Sequence, residues 1–189
     1  MEVLLSICLG IGLSAAAGFR IFLPLLALSI SSYFGWFELP DSWSWLGDWQ
    51  ALMLLGLATI LELLAYYIPW FDNVLDSIAV PLASVAGTIL FFVTLGDFEP
   101  WVSWSLAIIG GGGTAGLIAG STAAARAVST TTTMGFANPV FSTLEAIFST
   151  ILTILALIFP ILAFLLVIYI IYRLVRFIKR RKQNSVSKL

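Results

Sequence analysis

The sequence predicts an all-α fold, a polytopic membrane bundle of about five transmembrane helices, some of them broken. Three observations carry that expectation. Of the 189 residues, 60% are hydrophobic and only 10% are charged, where a soluble domain carries roughly 25% charged residues. The apolar residues fall in long runs without the alternation that marks the strands of an outer-membrane barrel. Prolines and glycines interrupt those runs, at Gly18 to Pro24, at Pro69 and at Pro160, and such interruptions bend or end helices. Residues 1–178 read as one transmembrane domain, followed by a basic cytoplasmic tail over 179–189.

The first apolar segment is Val3 to Ile30. It ends its first half in small residues, as a signal peptide would, but Glu2 replaces the expected basic residue and apolar character resumes after Arg20. Gly35 to Trp49 holds four tryptophans and three acids; indole rings favour the membrane–water boundary, so this is an interfacial loop. Ala51 to Ile68 is the second spanning helix, with Glu62 inside it. Pro69 ends that helix, Asp72 can cap the next with Asp76 in its first turn, and Pro81 falls in early turns where a missing N–H costs little. This third helix runs to about Leu95. Asp97, Glu99, Trp101 and Trp104 form a second acidic, tryptophan-bearing loop.

A fourth helix opens near Ser105 and passes through GGGGTAG to Arg126. From Gly120 to Glu145 the chain is polar and rich in small residues, an interruption that lipid cannot solvate and that must be buried or line a cavity. Asn138 followed by Pro139 is a helix start. Val140 to Ile178 would be about 55–60 Å long as one helix, against a hydrocarbon core of about 30 Å, so it must tilt, project or kink at Pro160. Seven of the nine basic residues follow Ile171. That places the C-terminus in the cytoplasm and the N-terminus outside, and five crossings then put the acidic, Trp-rich loops inside and Arg126 toward the outside. The expected location is a bacterial plasma membrane.

A repeat is legible beneath the hydropathy. Ser6, Gly10, Ser14 and Gly18 recur every four residues with Arg20 two positions on; Gly112, Gly116, Gly120 and Ala124 do the same before Arg126. Each set lies on one helix face where backbones can approach closely. Chance is the competing explanation, since Gly and Ala are common in membrane helices. As the first and fourth crossings the two helices would run antiparallel and touch along these faces, an inverted repeat with a site near the midplane.

Charged residues mark the candidate site. A charge at mid-bilayer costs on the order of 2.5–3.5 kcal/mol, so such residues pair and commonly serve function. The candidate substrate-binding residues are Arg20, Glu62, Asp72, Asp76, Arg126, Thr130, Asn138 and Glu145. The plainer alternative is that these charges neutralise one another and hold the bundle together, and Ser142-x-x-Glu145 also fits a capping box. The chain has no histidine and one cysteine, Cys8, which removes internal disulfides, His-ligated metals and Ser-His or Cys-His catalysis.

Three stretches, GLSAAAGFRIFLPLL, ELLAYYIPWFDNVLD and STTTTMGFANPVFSTLE, together resemble an uncharacterised bacterial membrane-protein family, domain of unknown function 4126, over nearly the whole chain. Where that family often carries an Asp-Lys pair, this chain has Tyr66 and Tyr67, so a basic residue there is dispensable. The resemblance implies a membrane protein and no activity.

The leading expectation is a small-solute or ion transporter or channel, the arginines holding an anionic group and the carboxylates carrying protons or a cation. A homodimer would be needed to enclose a pathway. The alternative is a non-transporting scaffold or lipid-binding protein. No enzymatic activity, cofactor, metal or nucleic-acid partner is expected; the bilayer itself is the other partner.

Overall fold

A computed structural model describes the backbone of residues 2–66, 68–96, 98–134 and 136–186, with side chains for all of these except 69–73, 76, 177, 178 and 180–186. Among the described residues there is no strand. The helices are α1 (Glu2–Phe19), α2 (Phe22–Tyr33), α3 (Trp49–Ala65), α4 (Pro69–Thr94), α5 (Pro100–Leu106), α6 (Gly113–Thr133), α7 (Asn138–Ile158) and α8 (Pro160–Val186). A 3-10 turn covers Asp41–Gly47, and a π-helical stretch, Ala107–Gly112, joins α5 to α6. The chain is an integral membrane protein. Four described helical stretches are long and apolar enough to cross a bilayer: Glu2–Phe19, Ser77–Thr94, Pro100–Thr133 and Asn138–Ile158. A fifth arises if the 3-10 turn and α3, bent by 61°, form one span.

α1 is the central helix. Its residues from Leu13 to Ala17 are almost wholly buried, against α4, α6, α7 and α8. Small residues make this possible: a Cβ added at Gly18 would come within 2.7 Å of the Ala115 carbonyl and of Ile118. Ser14 donates to the Gly87 carbonyl of α4 at 2.7 Å, and Gly10 lies against Phe91 and Thr94. α1 and α4 are therefore antiparallel.

Two reversals shape the bundle. The chain turns at Arg20–Ile21, because the amino end of α1 and the carboxyl end of α2 both lie at the carboxyl end of α4. Ile7 and Ile11 pack near Phe91 and Leu95. Ser29 of α2 donates to the Leu46 carbonyl at 2.6 Å, and Trp43 beside it meets Phe92, ring centroids 6.3 Å apart. The second reversal is at Phe159–Pro160. Proline drives the preceding residue out of the helical region, and Phe159 has φ −131° and ψ 69°. Ala156 and Ala163, on either side of it, both face Gly12, while Ile170 and Leu174 return to line a cavity with Phe141, Leu144 and Phe148. The long last segment is thus two helices, the kink expected at Pro160 being a full turn.

These reversals correct the expected sidedness. The 3-10 turn and α5 share one end of the molecule, linked by Trp43, Phe92 and Trp104, the last two with centroids 4.5 Å apart. The carboxyl half of α8, with the basic tail, runs to the other end. The acidic Trp-bearing loops and the tail therefore lie at opposite ends, not on one side, and Arg126 lies at the tail end. α2, about 18 Å long and too short to count as a span, supplied the unforeseen change of direction.

The same change overturns the inverted repeat. Gly18 abuts Ala115 and Ile118, Ile11 packs near Ala107, and Arg20 and Arg126 lie together, so α1 and α6 are parallel. Their small-residue ladders meet α4 more than each other: Gly112 and Gly116 face Ser84, and Gly120 faces Val80. Other boundaries also move. α4 starts at Pro69, after Ile68 as N-cap, so Asp72 is not the cap, and Pro81 lies in the helix interior. α6 continues through the threonines to Thr133, so most of the polar stretch is helix. Thr131 and Thr132 return their hydroxyls to the Val128 carbonyl at 2.9 and 2.8 Å, and Thr133 to Ser129 at 2.8 Å, which satisfies them within the helix. Met134, at φ 52°, ends it.

Candidate functional site

The break after α1 creates the site. Restarting a helix at Phe22 leaves backbone N–H groups without intrahelical acceptors. Glu62, near the carboxyl end of α3, supplies them: Oε1 accepts from Ile21 N at 2.8 Å and Oε2 from Phe22 N at 3.1 Å. The carboxylate also complements the positive end of α2. One turn further along α3, Tyr66 falls on the same face, and both guanidiniums rest over its ring, Arg20 and Arg126 each 4.1 Å from the centroid. Buried cation–π contacts of this kind contribute about 2 kcal/mol when desolvated.

Glu145 joins the two arginines from α7. Arg126 Nε donates to Oε1 at 3.1 Å and Nη2 donates to Oε2, a two-pronged pairing. Arg20 Nη2 stands 3.7 Å from the same Oε2. It also donates to the carbonyl and the hydroxyl of Ser142, at 2.7 and 2.5 Å. Arg20 and Arg126 are 1% and 2% exposed, so bulk water does not serve them. Even so, Arg20 Nε and Nη1 have no hydrogen-bond acceptor among the described residues. Beside the cluster lies a cavity of about 10 Å³, bordered by Glu62, Tyr66, Arg126 and Glu145, which is room for about one water.

Four of the expected site residues thus converge: Arg20, Glu62, Arg126 and Glu145. The capping box does not form, because Glu145 serves the arginines and the N-cap of α7 is Ala137. Thr130 and Asn138 pair with each other, Nδ2 to Oγ1 at 3.1 Å, across the α6–α7 turn. The side chains of Asp72 and Asp76 lie outside the described residues. Sequence reasoning passed over Tyr66 and saw Ser142 only as a cap. The signal was there: Tyr66 stands four residues after Glu62 and Ser142 three before Glu145, the spacings that share a helix face.

Depth and surroundings set what the cluster can do. Glu145 is seven residues into α7, about 10 Å from its tail-end start. Toward the tryptophan end the interior closes with Leu13, Leu28, Leu90 and Val93, each at most 1% exposed. Among the described residues no group of three potential metal ligands comes together. The arrangement can hold an anionic group on arginine donors, exchange partners on Glu145, and order a water between opposite charges. No curated protein and no solved structure matches the chain. The family model described as "Domain of unknown function (DUF4126)" matches residues 7–180, and the chain belongs to that family.

Proposed function

We propose that the protein is a small transporter, moving an ion or small charged solute through a site formed by Arg20, Glu62, Arg126 and Glu145. One observation carries this reading: among the described residues, two buried arginines meet at the Glu145 carboxylate beside a helix break, and Arg20 Nε and Nη1 have no acceptor there. Each buried charge is costly in a bilayer, and cohesion alone would be better served by apolar packing. Toward the tryptophan end the interior is closed by Leu13, Leu28, Leu90 and Val93, so passage requires a second conformation. The break at Arg20–Ile21 and the π-helical stretch Ala107–Gly112 are two places near α1 where the backbone departs from α-helix and where such a change can be absorbed. The excess of Lys and Arg in the tail supports a cytoplasmic position for that end.

A scaffold role is the second reading, favoured by the two-pronged Arg126–Glu145 pair and by Glu62 capping α2. Flux separates them. Protein in liposomes carrying an internal pH dye should conduct protons or halide above protein-free vesicles, and Arg126→Gln should remove that flux while the protein still elutes as a folded species. Absence of flux from the parent protein for protons, alkali cations and small anions alike rejects transport of those solutes.

A further inference from the structure

We infer that the charged cluster is entered from the tail end through the cavity between α6, α7 and α8, with Phe19 and Thr122 as its inner gate. The inference rests on the transport reading and adds the route by which a solute reaches the cluster. Two cavities adjoin at this point. The small polar one is bordered by Glu62, Tyr66 and Arg126, with Ala123 in its wall. The second encloses about 270 Å³ and is walled by Ala125 of α6, Phe141 of α7, and Ile170 and Leu174 of α8. Phe19, Thr122 and Glu145 border both. A single layer of side chains therefore divides them. Among the described residues, Glu145 carries the only charge in that layer and in the wall of the larger cavity.

The larger cavity extends toward the membrane surface. Phe141 is three residues past Asn138, about 5 Å along the helix from the tail-end start of α7. Leu174 lies between Arg173 and Arg176, both exposed, and basic side chains near the end of a membrane helix reach for the aqueous boundary. The space continues inward because α6 and α7 pack far less on each other than each does on α1. At the inner end Glu145 is the least enclosed of the three linked groups: its side chain is 7% exposed, against 3% for Arg126 and 0% for Arg20. A solute from the tail end thus meets the carboxylate first, and the arginines stand behind it. The dividing layer is movable. Phe19 is the last residue of α1, and its ring lies beside that of Phe148, centroids 6.0 Å apart. Thr122 donates within its own helix, to the Ala119 carbonyl at 3.0 Å, so among the described residues its hydroxyl does not tie α6 to α7. A rotamer change at these two residues joins the cavities while the helices stay in place.

The experiment follows one reporter cysteine, Ala123→Cys, in the full chain with its own cysteine replaced, Cys8→Ser, held in nanodiscs. Ala123 borders the inner cavity and not the outer one. Its labelling by methyl methanethiosulfonate, a small uncharged thiol reagent, is timed by mass spectrometry. Thiol exchange depends on access, so Ala125→Trp, which fills the outer cavity, should slow labelling about tenfold or more, and Phe19→Ala should speed it. Ala124→Trp, on the exposed face beside it, should leave the rate unchanged. If Ala125→Trp fails to fold, Ser121→Phe fills the same cavity and carries the same expectation. Labelling as fast with the cavity filled as without, or no labelling even in Phe19→Ala, overturns the proposal. Labelling blocked by Ala125→Trp in a protein without flux leaves the entrance standing and rejects transport. Flux that survives the filled cavity rejects the entrance and leaves transport standing.

Discussion

α1 and α6 carry the same pattern, a four-residue ladder of small side chains with an arginine two positions beyond, yet they end differently. α1 stops at Phe19, Arg20 sits at the break, and a new helix turns back. α6 runs seven residues past Arg126 to Thr133. The local pattern sets which face packs, and both ladders do pack, largely on α4. It does not set whether the helix continues. That depends on a partner: Glu62 accepts from the two N–H groups exposed by restarting at Ile21 and Phe22, whereas beyond Arg126 the helix keeps its own ladder. The difference leaves Arg20 Nε and Nη1 without acceptors among the described residues and Arg126 in a two-pronged pair with Glu145.

The largest expected effect is at the residue both arginines share. Glu145→Ala strips the common carboxylate from two buried guanidiniums and should cost about 3–5 kcal/mol, the range for breaking a buried ion pair, read as a large fall in unfolding midpoint in detergent. Glu62→Ala tests the break itself. It leaves two partly buried N–H groups without their acceptor and should cost about 1–2 kcal/mol, with faster hydrogen exchange confined to the start of α2. If exchange rises equally throughout α1 and α2, Glu62 is not what holds the restart. The ladder is tested by Gly18→Leu, which should cost about 1–3 kcal/mol by overpacking against Ala115 and Ile118. Leu117→Ile, on the exposed face of α6, should be silent in the same melt. The buried Ile118 is no control, because it is Gly18's neighbour.

The membrane class, the breaks near Arg20 and Pro160 and the convergence of Arg20, Glu62, Arg126 and Glu145 were legible in the residues. Composition and apolar run length report lipid directly, and a charge inside an apolar run demands a partner. Direction was not legible. Whether a chain bends or reverses at Arg20 depends on Glu62, 40 residues away in sequence from Phe22, and hydropathy merges α2 with α1. One unread reversal inverted the relation of α1 to α6, turning a parallel pair into an expected antiparallel one. The threonines after Arg126 misled for a local reason, since hydroxyls bonded back to their own helix read as polar while leaving the helix intact.

The most direct test of the cluster as a working site is flux through the Arg126→Gln/Glu145→Gln double variant, measured beside its thermal stability. Arg126 and Glu145 are removed together, so neither is left without the other; Arg20 loses Glu145 and keeps Glu62, which caps the neighbouring Ile21 and Phe22. A working site predicts a folded protein whose flux falls to that of empty liposomes. A double variant that carries solute as fast as the parent protein would contradict it.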